Sequence, residues 1–159
     1  MNISGSYTIP VARERAYALL QDPEILAKCM PGTERLVKTG ENEYEMKMKM
    51  VIAALSGLFD GNVRIEDQNP SESFRLVVEG VGKIGFVRGS GLLTLTVVGE
   101  SSTSVHYAGD VHVGGTIAAI GQRLLDSTSK MMIRKFFEKL VQLAGAQPQP
   151  PVGQAVSPA

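Results

Sequence analysis

EYEMKMKMVI, residues 43–52, alternates with a period of two: Tyr44, Met46, Met48 and Met50 point one way, and Lys47 and Lys49 the other. This is the pattern of a strand with one buried face, and it fixes which side of a sheet is inside. Three of the chain's seven methionines stand on that side. Methionine is flexible and fills gaps of irregular shape, so such a face reads either as soft core or as the wall of an adaptable pocket.

The same period runs through most of residues 33–114. ERLVKT (34–39) joins EYEMKMKMVI through Gly40-Glu41-Asn42, a hairpin-type connection. LFDGNVRIED (58–67) sets Phe59, Gly61, Val63 and Ile65 against Asp60, Asn62, Arg64 and Glu66. FRLVVEGVG (74–82) adds Leu76 and Val78 to the inner face, and FVRGSGLLTLTVV (86–98) adds Leu93 and Leu95. In TSVHYAGDVHVGG (103–115), Val105, Tyr107, Gly109, Val111 and Val113 oppose His106, Asp110 and His112.

Before this region, ISGSYTIP (3–10) is a further strand. VARERAYALLQ (11–21) has helical spacing, with Ala12, Ala16, Tyr17 and Leu20 on one side. Asp22-Pro23 then predicts an N-cap and first-turn proline for a second short helix that Pro31-Gly32 stops. After the strands, residues 116–145 predict one long helix, capped by Thr116 and ended by Gly145. Its apolar stripe is Ile117, Ile120, Gly121, Leu124, Leu125, Thr128, Met131 and Met132, turning toward Phe136, Leu140 and Leu143. A sheet with one apolar face needs a second layer, and only this helix is long enough to supply it, so the sheet should curl around it. The expected class is α+β: an antiparallel sheet of about seven strands wrapped on a C-terminal helix, with two short helices after the first strand. Residues 1–145 form one domain in this reading. Residues 146–159, with four prolines and no apolar period, form a disordered tail or linker stub.

Bulk properties narrow the function. Sixteen basic and sixteen acidic residues cancel, giving no overall attraction to nucleic acid or to an anionic membrane. The single cysteine, Cys29, allows no intrachain disulfide and fits a reducing compartment. The sequence has no apolar run long enough to span a bilayer and no signal-peptide pattern, so a cytoplasmic protein is expected.

Motifs that would carry chemistry are weak. Gly80-Val-Gly82-Lys-Ile-Gly85 spells G-x-G-x-x-G, but a strand follows it where a dinucleotide site needs a helix. His106 and His112 are six residues apart on one strand face, roughly 20 Å, and Asp110 is expected about 7 Å or more from either, so no metal site is expected. Cys29 lies toward a helix C-terminus, away from any histidine, and reads as a buried small hydrophobe. No G-x-S-x-G turn occurs, and Tyr7, Tyr44 and Tyr107 are the only obvious inward polar tips. Neither catalytic residues nor an enzyme are expected.

The order of elements resembles the carbon monoxide dehydrogenase G-subunit family, within the START-like (SRPBCC) helix-grip superfamily. The resemblance spans about residues 1–143 and rests on several markers in order. They are Gly5-Ser6 with Pro10, Asp22-Pro23, Cys29-Met30-Pro31-Gly32, Gly61 with Val63, Gly89 with Gly91, and Gly114-Gly115. It implies a helix-grip fold with an apolar cavity between sheet and helix. It also implies an accessory role beside a molybdenum CO dehydrogenase or a related hydroxylase, at the inner face of the cytoplasmic membrane.

With that resemblance, the methionine face reads as a cavity wall. The expected lining is Tyr44, Met46, Met48, Met50, Phe59, Gly61 and Val63, with Leu76, Val78, Leu93, Leu95, Tyr107 and Val111 on the later strands. The helix contributes Ile117, Ile120, Gly121, Leu124, Thr128, Met131 and Met132. Inward glycines, Gly61, Gly89, Gly91, Gly109 and Gly121, leave volume unfilled. By fold analogy the entrance lies where Leu26 to Met30 and Ile84 to Val87, including Phe86, approach the helix. The expected ligand is a prenyl lipid such as menaquinone, with Tyr44 or Tyr107 bonding its ring. Two other readings compete: an adaptor that recruits or matures the dehydrogenase with no bound ligand, and a small cyclase or hydrolase of the superfamily.

Overall fold

The computed structural model describes residues 1–52 and 54–146; the expected proline-rich tail, from residue 147 onward, lies outside the described residues. The elements are β1 (Asn2–Ile9), α1 (Arg13–Leu19), α2 (Pro23–Cys29), β2 (Thr33–Gly40), β3 (Glu43–Ile52), β4 (Leu55–Asn69), β5 (Ser73–Gly82), β6 (Gly85–Gly99), β7 (Ser102–Gly114) and α3 (Gln122–Ala146). The strands form one antiparallel seven-stranded sheet in the order β1-β7-β6-β5-β4-β3-β2. β1 and β2 therefore sit at opposite edges, and residues 10–32, with α1 and α2, bridge the width of the sheet.

Local chemistry explains the bridge. The Asp22 carboxylate accepts from the Glu24 amide at 2.9 Å, and Pro23 occupies the first turn of α2, where its missing N–H has no partner to lose. Within α1 the inner side is Ala16, Leu19 and Leu20; Ala12, expected there, is exposed at the N-cap.

Alternation along β3 is as the sequence predicts: Tyr44, Met48 and Ile52 are buried, and Glu43, Glu45, Lys47 and Lys49 are exposed. The core is densest where α1 and the end of α3 meet the sheet. There Ile9, Phe74, Val105 and Leu140 are fully buried, and Thr103 Oγ1 donates to the Val11 carbonyl at 2.8 Å. The Phe74 ring meets Tyr17 edge-on, 5.6 Å between centroids.

The last helix departs from expectation. Residues Thr116–Ile120 form a 3₁₀ turn, Gly121 breaks it at φ 100°, ψ 152°, and α3 begins only at Gln122. That backbone region is open essentially to glycine alone, and a residue held there is outside a regular helix, so α3 starts afresh after Gly121. Thr116 lies inside the 3₁₀ turn instead of capping a helix, and Gly145 lies within α3 instead of ending it. The G-x-G-x-x-G is a hairpin: Gly82 pairs with Gly85 across Lys83-Ile84, with a strand on each side.

An apolar cavity between sheet and helix

The concave face of the sheet and α3 enclose a cavity of about 330 Å³, at the lower end of the range for small-molecule sites. β3 contributes Met46, Met48, Met50 and Ile52, and the short-helix segment contributes Leu26 and Met30. Across the cavity, α3 presents Leu125, Thr128, Ser129, Met132, Ile133, Phe136 and Phe137. Val63, Leu76, Val78, Leu93, Tyr107, Val111 and Ile117 complete much of the remaining wall.

Strand register shows why space remains. Met46 and Met50 face Gly61 and Gly57 on β4, and Gly91 on β6 faces Gly109 on β7. The glycines play two different parts. A Cβ on Gly89 or Gly91 would make only ordinary contacts, about 3.4 Å, so these positions leave volume open. A Cβ on Gly109 would lie 2.5 Å from the Ser90 carbonyl oxygen, and one on Gly61 would collide with the Glu79 carbonyl. Those two glycines let neighbouring strands approach closely in a bent sheet.

Several expected lining residues lie elsewhere. Tyr44, Phe59, Gly61 and Leu95 occupy inward strand positions but not the cavity wall; Tyr44, Phe59 and Leu95 are packed in the core. Ile120, Gly121, Leu124 and Met131 are also off the wall, and Leu124 is 45% exposed. The break at Gly121 explains this, because it resets the helical phase. In the doublets Leu124-Leu125 and Met131-Met132, seven residues apart, only the second member faces the cavity. Of the three residues named for an entrance, Leu26 and Met30 line the cavity and Phe86 does not. Gly85 opens β6, so the pleat turns Val87 inward and Phe86 outward, where its ring lies against Gly114 and under the Arg88 guanidinium at 5.3 Å.

The wall also includes Ile3, Thr33, Leu36, Ile133 and Phe137, none of which is among the expected lining residues. Ile3 carries a usable signal in the alternation of β1. Phe137 has a second role, stacking on Tyr7 with centroids 4.5 Å apart. Tyr107 stands at 6.1 Å from Phe137, so an aromatic cluster closes this part of the wall.

Polar groups at the wall are few. Thr33 Oγ1 is buried and has no hydrogen-bond partner among the described residues. Burial, with Tyr7 nearby, raises the Tyr107 hydroxyl above its ordinary pKa, keeping it a protonated donor. Ser129 Oγ is spent on the Leu125 carbonyl at 2.9 Å. Cys29 is buried, and that burial pushes its thiol up to about 11, the reverse of an activated nucleophile.

His106 and His112 are on the outer face, as expected, but Asp110 is not remote. Its carboxylate takes His112 Nε2 at 3.0 Å and the terminal amine of Met1 at 3.2 Å. Backbone spacing of two residues leaves long side chains free to meet. The Met1 amine holds the Asp110 carboxyl below its usual range. Among the described residues no group of three or more His, Cys, Asp or Glu is placed to hold a metal ion. A second concavity, about 650 Å³, is a surface groove on the outer face bordered by charged side chains including Asp60, Glu79 and Arg88.

Comparison with known proteins matches this architecture. The family model for the carbon monoxide dehydrogenase G-subunit (CoxG) covers residues 5–145. A conserved protein from Geobacillus kaustophilus is 34% identical, with TM-score 0.87, over 91% of this chain and 95% of that one. The ZhuI aromatase/cyclase from Streptomyces sp. R1128 is 12% identical, with TM-score 0.68, over 91% and 93% of the two chains. A START superfamily protein from Mycobacterium smegmatis is 11% identical, with TM-score 0.68, over 91% and 97%. The last two share the fold. No curated protein sequence matches the chain.

Proposed function

Because the chain belongs to the carbon monoxide dehydrogenase G-subunit (CoxG) family, we propose that it is a non-enzymatic carrier. It holds a prenyl lipid, an isoprenoid quinone such as menaquinone, in the cavity between sheet and α3. It moves this ligand between the cytoplasmic membrane and a molybdenum CO dehydrogenase or related hydroxylase. The observation that carries this reading is the cavity wall: methionines from β3 and α3 face each other across unfilled, almost wholly apolar space. Thioether chains rearrange around variable apolar shapes, as a prenyl chain requires. Transfer of such a chain from water favours capture by roughly 0.8 kcal/mol per buried CH₂. A bilayer offers nearly the same gain, so ligand can leave as readily as it enters.

The polar ring is served by hydroxyls. Tyr107 Oη, or at the opposite edge of the sheet Thr33 Oγ1, supplies a donor to a ring carbonyl; Tyr44, the other tyrosine considered, is off the cavity wall. The fold also occurs in an aromatase/cyclase, but acid–base catalysis needs titratable side chains facing the substrate. The wall of this cavity contains one, Tyr107, with its hydroxyl pKa raised.

The test is mass spectrometry of organic extracts of the protein purified without detergent, with titration by menaquinone. A co-purifying prenyl lipid, or saturable uptake of menaquinone, supports the carrier. No lipid and no uptake overturns it in favour of a ligand-free adaptor.

A further inference from the structure

The two edges of the sheet are built differently. At the β1 edge the Met1 amine and carbonyl both bond Val111, at 2.9 and 2.8 Å. From there the β1–β7 register runs unbroken to Ile9 opposite Thr103. Antiparallel bonding alternates along such a pair, so residues 3, 5, 7 and 9 turn their N–H and C=O toward β7. Asn2, Ser4, Ser6 and Thr8 turn theirs away from the sheet, and no backbone hydrogen bond reaches them among the described residues. Natural edge strands are kept from pairing by charges, proline or bulges. Between Asn2 and Ile9, β1 has none of these. β2, at the other edge, has register shifts between Thr33 and Arg35 and between Lys38 and Gly40, and it carries Glu34, Arg35 and Lys38.

The β1 edge also suits a copy of itself. Turned about a two-fold axis through Gly5, the strand sets Ser4 opposite Ser6 and Asn2 opposite Thr8 of the second copy. These are the four residues whose backbone groups point outward, and an axis through Ser4 or Ser6 would leave one of them unpaired. No like charges meet across the axis, because the strand carries no charge. On the inner face Ile3 falls opposite Tyr7 of the second copy. Both are half-buried, and Ile3 lines the cavity, so the second copy extends that wall.

We propose that the protein forms a two-fold dimer in which β1 pairs antiparallel with β1 of a second copy about Gly5, joining the two sheets into one. The outward N–H and C=O groups of Asn2, Ser4, Ser6 and Thr8 on each copy find partners on the other. The contact is isologous and uses the same edge of both copies. The edges left at the ends of the joined sheet are the two β2 strands, bulged and charged, so assembly stops at two.

The experiment is sedimentation equilibrium of the full chain over a range of concentrations, with disulfide trapping to read the register. Reversible association to twice the chain mass is expected. Ser4→Pro removes one outward N–H from each copy, two interface hydrogen bonds in all, and should raise the dissociation constant about tenfold. Ser4→Lys, which brings charge to the edge, should raise it as well. Val37→Lys on β2 should leave it unchanged, with thermal melts showing that the variants fold. Opposed residues of a bonded antiparallel pair have Cα atoms about 5.5 Å apart, within disulfide reach. In a Cys29→Ala background, an oxidised mixture of Ser4→Cys and Ser6→Cys chains should therefore cross-link more than either chain alone. A monomer at every concentration overturns the proposal, as does association indifferent to both Ser4 variants. So does cross-linking no greater in the mixture than in either chain alone, which would place the axis elsewhere or the contact on another surface.

Discussion

Gly5 on β1 lies directly across from Tyr107 on β7, and a Cβ on Gly5 would come within 2.5 Å of the Tyr107 hydroxyl oxygen. The tyrosine hydroxyl thus occupies the space that a side chain at position 5 would need. Gly5→Ala should force the Tyr107 side chain to move and cost about 1–3 kcal/mol of stability. It should also weaken binding of a quinone whose ring uses that hydroxyl. Urea denaturation and menaquinone titration of the variant read both effects.

Thr33→Val separates stability from binding. A buried hydroxyl without a partner costs about 1–3 kcal/mol, and valine has the same shape without it. The empty protein should keep its stability or gain some, while menaquinone affinity falls. A variant that loses stability with unchanged affinity would show that Thr33 serves the fold and not the ligand. Paired denaturation and binding curves decide.

Met48→Trp should block ligand and spare the surface. Met48 is 5% exposed and lines the cavity, so a bulky ring there fills space meant for a prenyl chain. Loss of menaquinone uptake with retained vesicle and dehydrogenase binding is expected from competition and pull-down assays. An adaptor without a ligand would show no change in any of these.

At Gly121 the effect should come from backbone conformation alone. A Cβ would meet nothing within 4 Å, yet the residue holds φ at +100°. Gly121→Ala and Gly121→Ser should therefore destabilise alike, by about 1–3 kcal/mol. This position also marks where the sequence stops being legible. The period of two reveals all seven strands and the inner face, because each strand residue has only two directions to point. The helical stripe is ambiguous because Leu124-Leu125 and Met131-Met132 offer an apolar residue in two adjacent phases. A glycine at a positive φ looks like any other glycine in a sequence. Thr33 is illegible for a different reason: only the packed structure shows which hydroxyls lack partners.

Cys29 sets an alkaline limit. Its thiol is raised from 9.0 to about 11 by burial, so above pH 9 the unfolded chain ionises first. The stabilisation is complete below that pH and is lost as pH rises toward about 11. Denaturant midpoints from pH 8 to pH 11 should fall more for the native chain than for Cys29→Ala, and the folded thiol should resist alkylation at neutral pH.

Whether an apolar ligand lies between the β3 methionines and α3 can be read from NMR of the methionine methyl groups during menaquinone titration. All seven methionines report at once. Met30, Met46, Met48, Met50 and Met132 line the cavity, and Met1 and Met131 do not. The expected result is saturable shifts at the first five methyls with Met1 and Met131 unmoved. Shifts confined to Met1 and Met131, or none at any position, would contradict a ligand in this cavity.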